Sequence, residues 1–359
     1  MQLYKKSIEI ILANQSSNGA YVASPNFSQY RYCWFRDGSF IAYAMDLVGE
    51  HESASRFHAW ASSTILRHEH KALRCLEKAQ NGLPVGEGDC LHTRYALDGE
   101  EGEDSWPNFQ LDGFGTWLWS LSEHIRFAWA RSVPPECAKA ANLVAGYLST
   151  LWQRPNYSCW EEEGDKIHVS TLASIYGGLA SAIASSLIND GADTVGEIRR
   201  FVLEQGVRDG HLIRYIGSDQ VDASLLGVST PYRLLEPQEP LMSKTVAQIE
   251  AALRRGRGGV HRYAQDTYYG GGEWVLLTAW LGWHYSEIGE EVRAHELLHW
   301  VEAQADVSGD LPEQVPAHLL APDRYAEWEA RWGPVAKPLL WSHAMYLILR
   351  RALESIGRR

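Results

Sequence analysis

Two segments of the chain carry acidic residues in settings suited to proton transfer. In CWEEEGDKIH, three glutamates follow Trp160 directly. Glu162 and Glu163 are like charges that disfavour ionisation of Glu161, and Trp160 can shield it from water, so Glu161 suits a proton donor. In GDLPEQV, Glu313 is the single charge of the run Leu-Pro-Glu-Gln-Val and suits a base. Each motif taken alone is also typical of a solvated surface loop.

A carboxylic acid opposite a carboxylate is the pair that hydrolysis of a glycosidic bond requires. The acid protonates the departing oxygen and, in an inverting reaction, the carboxylate activates water on the other face of the sugar. This chemistry needs no metal ion and no cofactor, and we expect neither. The sequence lacks H-E-x-x-H, G-x-S-x-G, P-loop and G-x-G-x-x-G motifs. Its five scattered cysteines contain no C-x-x-C pair, which predicts neither a disulfide framework nor a zinc site.

Apolar residues at helical spacing extend over most of the chain, and strand alternation is scarce. The pattern predicts about twelve helices, near residues 3–15, 38–49, 52–79, 110–129, 133–153, 169–187, 190–206, 222–228, 240–254, 270–288, 290–305 and 337–354. Some are apolar nearly all round, whereas EEVRAHELLHWVEAQA carries a polar face. We therefore predict an all-α fold, an (α/α)6 barrel with inner and outer helix rings, formed as one domain over residues 1–359. A stack of helical repeats is the alternative, but no fixed period supports it.

Polar, aromatic and glycine residues repeatedly come just before an apolar helix. Because the ends of the inner helices form one mouth, we expect these residues to meet there. The predicted substrate-binding residues are Tyr30, Trp34, Arg36, Asp37, Trp106, Asp112, Trp160, Glu162, Arg262, Tyr263, Asp266 and Trp274. Alternatively, Asp37 and Asp112 are helix N-caps, and Arg36 and Arg262 are structural ion-pair partners. The glycine run 270–272 forms a turn or lets a ligand approach the backbone.

The composition narrows the class of partner. The chain has 15 Trp and 17 Tyr but only 8 Phe, which favours rings that carry a polar group and pack against sugars. A net charge of -12 would repel nucleic acids and anionic membranes. No apolar stretch approaches the roughly 18 residues of a membrane span, and the N-terminal segment does not resemble a signal peptide. We therefore expect an oligosaccharide substrate, no nucleic-acid or membrane partner, and a cytoplasmic location.

Five segments, in order along the chain, resemble glycoside hydrolase family 15, the glucoamylases and related α-glucosidases and trehalases. The segments are YRYCWFRD, DSWPNFQLDGFG, CWEEEG, VHRYAQDTYYGGGEW and LPEQV, within a match that runs from about Tyr30 to His343. The first two resemble sugar-binding segments of the family, the third its general-acid segment and the last its general-base segment. Each is weak alone, but all five in family order are specific.

The resemblance implies an (α/α)6 barrel that inverts anomeric configuration and releases β-glucose from an α-glucoside. It implies that Glu161 is the general acid and Glu313 the general base. Hydroxyls of the non-reducing-end sugar would be bound by Arg36, Asp37, Glu162 and Arg262. Walls of the first subsites would come from Tyr30, Trp34, Trp106 and Trp274.

We predict an exo-acting enzyme of glucan 1,4-α-glucosidase type that acts on short α-glucans. One alternative is hydrolysis of trehalose or of α-1,6-linked isomaltose or dextran, because linkage choice depends on residues at the lip. Pro316 and Ala317 follow the base motif where bacterial members often carry Trp-Asp, so the lip differs. Another alternative is a glycan-sensing barrel without activity. We expect neither the N-terminal β-sandwich of many bacterial relatives nor a starch-binding module.

Overall fold

The computed structural model describes residues 2–129 and 132–356, most of which are helical. In chain order the helices are α1 (Gln2–Ala13), α2 (Phe35–Val48), α3 (His51–Arg67), α4 (Glu69–Gln80), α5 (Asp112–His124), α6 (Pro135–Leu151), α7 (Val169–Ala184), α8 (Ala192–Gln205), α9 (Pro240–Leu253), α10 (Val275–Glu287), α11 (Glu291–Ala303), α12 (Pro322–Trp332) and α13 (Leu340–Ile356). A π-helical turn, Ile125–Trp129, extends α5, and a 3₁₀ segment, Ala223–Val228, lies between α8 and α9.

Twelve of these segments alternate between an outer and an inner ring. The outer ring contains α1, α3, α6, α8, α9 and α11, and the inner ring contains α2, α5, α7, the 3₁₀ segment, α10 and α13. Each inner segment packs against the next, and α13 closes the ring against α2. The predicted (α/α)6 barrel is thereby confirmed.

Inner and outer helices differ in burial as their sequence patterns predict. In α10 every residue from Val275 to Ser286 is buried, whereas α11 buries only the four residues of one stripe, Ala294, Leu297, Leu298 and Val301. At the barrel centre the ring of Phe40 lies 5.1 to 5.6 Å from the rings of Trp119, Trp280 and Trp341, which come from three other inner helices. Such aromatic contacts make the centre a packed core rather than a channel.

Within the described ranges, no helix combines the length and apolarity needed to cross a membrane.

In the described residues, three short antiparallel strand pairs lie between the helices. Strands β1 (Cys33–Trp34) and β2 (Arg94–Tyr95) pair with Trp34 opposite Arg94. Strands β3 (Val207–Arg208) and β4 (His211–Leu212) form a hairpin, and β5 (Glu273–Trp274) pairs with β6 (Gln314–Val315). Because β1 runs directly into α2 and β5 into α10, two of these pairs fix segments at the N-terminal ends of inner helices.

The structure differs from the predicted helices in four places. The predicted helix 52–79 is two helices, because the chain turns at His68, whose imidazole lies 2.9 Å from the carbonyl oxygen of Gly99. The predicted helix 222–228 is a 3₁₀ segment, and the predicted helix 270–288 begins only after β5. Helix α12 was not predicted. It belongs to neither ring and packs against the turn Tyr268–Gly270.

Candidate active site

A cavity of about 330 Å³ opens at the N-terminal ends of the inner helices. It brings together eleven of the fourteen predicted site residues: Tyr30, Trp34, Arg36, Asp37, Trp106, Trp160, Glu161, Glu162, Arg262, Trp274 and Glu313. The other three, Asp112, Tyr263 and Asp266, lie behind the lining and contact residues that form it. The two carboxyl groups singled out by the sequence therefore share one cavity.

Glu161 is held by a tight turn before α7. The amide of Glu161 donates to the carbonyl of Ser158 at 2.8 Å, and Glu161 adopts a positive φ of 65°. A non-glycine residue in this left-handed conformation is uncommon and costs free energy, which is typical of functional sites. The carboxyl atom Oε1 accepts hydrogen bonds from the indole of Trp34 at 2.6 Å and the amide of Gln110 at 3.4 Å. The turn and the two hydrogen-bond donors together fix the side chain of Glu161 at the cavity wall.

The two following glutamates bind arginines. Glu162 lies 3.3 Å from both Arg214 Nη2 and Arg262 Nη2, and Glu163 Oε2 lies 3.0 Å from the same Arg214 nitrogen. The two arginines compensate the negative charges of Glu162 and Glu163. Of the three crowded carboxylates of CWEEEG, Glu161 therefore faces Trp34 in the cavity, Glu162 lines the cavity and is also paired with arginines, and Glu163 is an ion-pair partner.

The backbone around Glu313 is fixed by β-pairing. Glu313 directly precedes β6, its amide donates to Ala336 at 3.0 Å, and its carbonyl accepts from the amide of Val275 at 3.2 Å. The carboxyl atom Oε1 accepts from the hydroxyl of Tyr30 at 3.0 Å, and Tyr30 in turn lies 2.9 Å from the hydroxyl of Tyr268. The other oxygen, Oε2, is buried and has no hydrogen-bond partner among the described residues.

The surroundings of Glu313 make it a stronger base than an exposed glutamate. Burial raises the pKa of Glu313 from 4.5 to about 8, while the Tyr30 hydrogen bond and the charge of Arg262 partly oppose that rise. Asp37 adds to it, because a nearby negative charge disfavours a second one. A carboxylate with a raised pKa takes a proton from water more readily.

Arg36 and Asp37 form a buried polar pair in the first turn of α2. Arg36 Nη1 donates to Asp112 at 3.0 Å and to Gln110 at 3.1 Å, and Arg36 Nε lies 3.5 Å from Asp37 Oδ2. Burial raises the pKa of Asp37 to about 7, against the opposing charge of Arg36. The helix-capping alternative does not apply, because Trp34 and Leu111 occupy the two N-cap positions.

The three residues behind the lining orient those in front. Asp266 accepts from Arg262 Nε at 2.8 Å, and the hydroxyl of Tyr263 donates to Glu162. Asp112 holds Arg36 in the same way. Arg36 and Arg262 are thus ion-pair partners that also line the cavity, and their binding of substrate stays a prediction.

Several polar atoms of the lining have no hydrogen-bond partner in the described part of the chain, and two of them, in Arg36 and Asp37, contact each other only as an ion pair. They are Arg36 Nε, Asp37 Oδ2, Glu313 Oε2 and the indole nitrogens of Trp106, Trp274 and Trp341. Because buried polar groups are nearly always hydrogen-bonded, such a set is suited to a ligand that carries many hydroxyl groups. The indole faces beside them suit the C–H faces of sugar rings.

Sequence reasoning missed other residues of the site. Tyr268, Trp341 and three residues of α12, Trp328, Arg331 and Trp332, also line the cavity, and Arg214 lies behind Glu162. Tyr268 belongs to the segment VHRYAQDTYYGGGEW, but nothing in that segment distinguishes it from the neighbouring Tyr269. The hydroxyl of Tyr269 donates a hydrogen bond to the carbonyl oxygen of Gly333. The glycine run serves backbone packing, since a Cβ atom on Gly271 would lie 2.3 Å from the carbonyl oxygen of Asp266.

Comparisons with known proteins show the family to which the chain belongs. The model of Glycosyl hydrolases family 15 matches residues 1–328. An isomaltose glucohydrolase of Kribbella flavida is 42% identical over 97% of this chain and 91% of its own length. A solved glycosidase, a glutamate-to-alanine variant in complex with glucose, superposes with a TM-score of 0.93 at 41% identity, covering 98% of this chain and 96% of that one. A bacterial glucoamylase complexed with acarbose shares the fold, with a TM-score of 0.73 at 19% identity over 99% of this chain and 56% of its own. The chain therefore belongs to glycosyl hydrolase family 15.

Proposed function

We propose that the protein is an inverting, exo-acting α-glucosidase that removes a terminal glucose from short α-glucosides. The observation that carries this proposal is that Glu161 and Glu313 line one buried cavity with tryptophan walls and unpartnered polar groups. The non-reducing-end glucose would lie between the two carboxyl groups. Its hydroxyls would bond Arg36, Asp37 and Glu162.

Glu161 would act as the general acid. Because its Oε1 accepts from Trp34 and Gln110, Oε2 would be the atom that gives a proton to the departing glycosidic oxygen. The Trp34 donor then stabilises the carboxylate that forms, because a hydrogen bond to a charged acceptor is stronger than one to a neutral acceptor.

Glu313 would act as the general base. Its Oε2 accepts a proton from water while the water oxygen bonds to the anomeric carbon on the face opposite the departing group. Tyr30 keeps Oε1 in place, and Tyr268 keeps Tyr30 in place. Attack from the opposite face yields β-glucose first.

We propose an α-1,6-linked glucose disaccharide as the preferred substrate. The support is the similarity to a relative named isomaltose glucohydrolase at 42% identity over nearly the whole of both chains. Preference for maltose, as the sequence-based prediction had it, or for trehalose would leave the same two carboxyl groups in use, because linkage choice depends on the second sugar.

Proton NMR on isomaltose, maltose, trehalose and maltotriose tests the proposal in one series. We expect isomaltose to be cleaved with the highest kcat/KM and β-glucose to appear before mutarotation. If α-glucose appears first, the inverting mechanism is wrong. If the wild-type protein binds glucose without cleaving any substrate, the chain is a glycan-binding barrel.

Variants assign the roles. Glu161→Gln and Glu313→Gln should lose activity while Glu296→Gln, at an exposed position of α11, keeps it. A small leaving group such as fluoride needs little protonation, so Glu161→Gln should keep far more activity on α-glucosyl fluoride than on isomaltose. Equal losses on both substrates would contradict the acid role.

A further inference from the structure

Helix α12 forms one wall of the cavity although it belongs to neither ring of the barrel. Trp328, Arg331 and Trp332, all near its C-terminal end, line the cavity. The ring of Trp328 lies 5.0 Å from that of Trp332 and 5.0 Å from that of Tyr268. The helix is therefore attached to the same turn that supplies the tyrosine bonded to Tyr30.

These α12 side chains lie at the solvent side of the cavity. Trp328 and Trp332 are half-buried and Arg331 is exposed, whereas Arg36 and Asp37 are at least nine-tenths buried. A glucose bound to the buried residues places the rest of the substrate toward solvent. The second unit of the substrate would thus lie beside α12.

The chemistry of this wall matches a neutral sugar ring. Two neighbouring indoles offer faces for its C–H groups. The guanidinium of Arg331 lies 5.0 Å from the ring of Trp332 and has no carboxylate partner among the described residues, so its N–H groups are available to hydroxyls.

The cavity is small for a ligand pocket. Its volume of about 330 Å³ lies at the lower end of the range of about 300–1,000 Å³ that ligand pockets cover. Three large side chains stand at the solvent side of this cavity, next to the position that the second sugar ring would take. A third ring would lie beyond these side chains.

We propose that α12 forms the binding site for the leaving sugar and makes the enzyme selective for disaccharides over longer α-glucans. Trp328, Arg331 and Trp332 are specificity-determining residues in this proposal. This proposal rests on the proposed α-glucosidase activity. It adds that the enzyme also recognises the leaving sugar, on the other side of the glycosidic bond.

The test compares isomaltose with α-glucosyl fluoride, whose leaving group has no ring. In Trp328→Ala and Trp332→Ala, we expect kcat/KM for isomaltose to fall about tenfold, mostly because KM rises. A tenfold fall corresponds to a loss of about 1.4 kcal/mol of binding free energy. The value for α-glucosyl fluoride should change less than about twofold. In the wild type kcat/KM should fall from isomaltose to isomaltotriose and longer oligomers, and the variants should flatten that dependence.

Two further variants keep the test decisive. Tyr325→Ala removes an aromatic residue of α12 that does not line the cavity, and it should leave the ratio of the two kcat/KM values unchanged. Arg331 is exposed, so Arg331→Gln retains the fold and should lower the ratio even where a tryptophan variant unfolds. An unchanged ratio in Arg331→Gln and in the folded tryptophan variants would overturn the proposal for α12. A wild type that fails to hydrolyse α-glucosyl fluoride would instead refute the α-glucosidase activity itself.

Discussion

Replacing Glu313 by glutamine should stabilise the folded protein above pH 5. Burial raises the pKa of Glu313 above its ordinary value, so the folded state holds a proton that the unfolded chain releases. Below pH 4.5 the carboxyl is protonated in both states and its full contribution to stability is present. As the pH rises toward about 8, that contribution is lost, because unfolding is accompanied by ionisation. Glutamine has no proton to release and escapes this loss.

The size of the effect follows from the two pKa values. One pH unit corresponds to about 1.4 kcal/mol. Between 4.5 and about 8, the free energy of unfolding of the wild type should therefore fall by about 5 kcal/mol relative to the variant, with about 3 kcal/mol of this difference present at pH 7. Glutamine retains the shape of the side chain and can still accept the Tyr30 hydrogen bond through its carbonyl oxygen.

Urea unfolding of both proteins at pH 5, 6, 7 and 8 measures this difference, because other titrating groups are common to both. Glu296→Gln is the matched control, since Glu296 is exposed on α11 and its replacement should give a constant difference from the wild type. A difference between wild type and Glu313→Gln that does not grow from pH 5 to pH 8 would refute the reasoning. It would mean that Tyr30 and Arg262 fully compensate the burial of the carboxylate.

Further predictions concern activity and packing. Glu161→Gln and Glu313→Gln should each lower kcat on isomaltose by about 10²- to 10⁴-fold with unchanged circular dichroism, and near-normal turnover would contradict their roles. Tyr30→Phe removes a hydrogen bond that lowers the pKa of Glu313, so the ascending limb of the kcat/KM profile should move to higher pH; an unmoved limb would mean that another group controls it. A Cβ atom on Gly115 would lie 2.5 Å from the backbone of α7, so Gly115→Ala should cost about 1–3 kcal/mol in urea unfolding. Gly146→Ala, at an exposed position of α6 with no atom nearby, should instead gain up to about 1 kcal/mol.

The barrel could be predicted because its elements follow from local patterns. Apolar periodicity distinguished the fully buried α10 from the half-exposed α11, and twelve such segments are enough to imply two rings. Helix α12 was missed because its sequence PDRYAEWEARW is strongly charged, although Pro322 at its start and Gly333 after its end are recognisable helix boundaries. The break at His68 carries no such signal, since it depends on a contact with Gly99, 31 residues away.

Only those features of the site that lie within a single sequence segment could be predicted. Motifs identified Glu161 and Glu313, but the bonds that define their surroundings join residues far apart in sequence. Tyr30 and Glu313 are 283 positions apart, and Trp34 and Glu161 are 127 apart. No pattern within one segment indicates such a pair. The same holds for Arg214, whose role depends on two glutamates that lie in another loop.

The site combines features that each destabilise the folded state, and we expect the packed barrel centre to hold them in place. Glu161 has a positive φ, and burial raises the pKa of both Asp37 and Glu313. A flexible pocket would relax such strain by admitting water or turning a side chain outward. Here Trp341 belongs both to the cavity lining and to the aromatic cluster around Phe40, so the lining is anchored in the packed centre. Loosening that cluster should therefore lower activity even where it leaves every polar residue of the cavity unchanged.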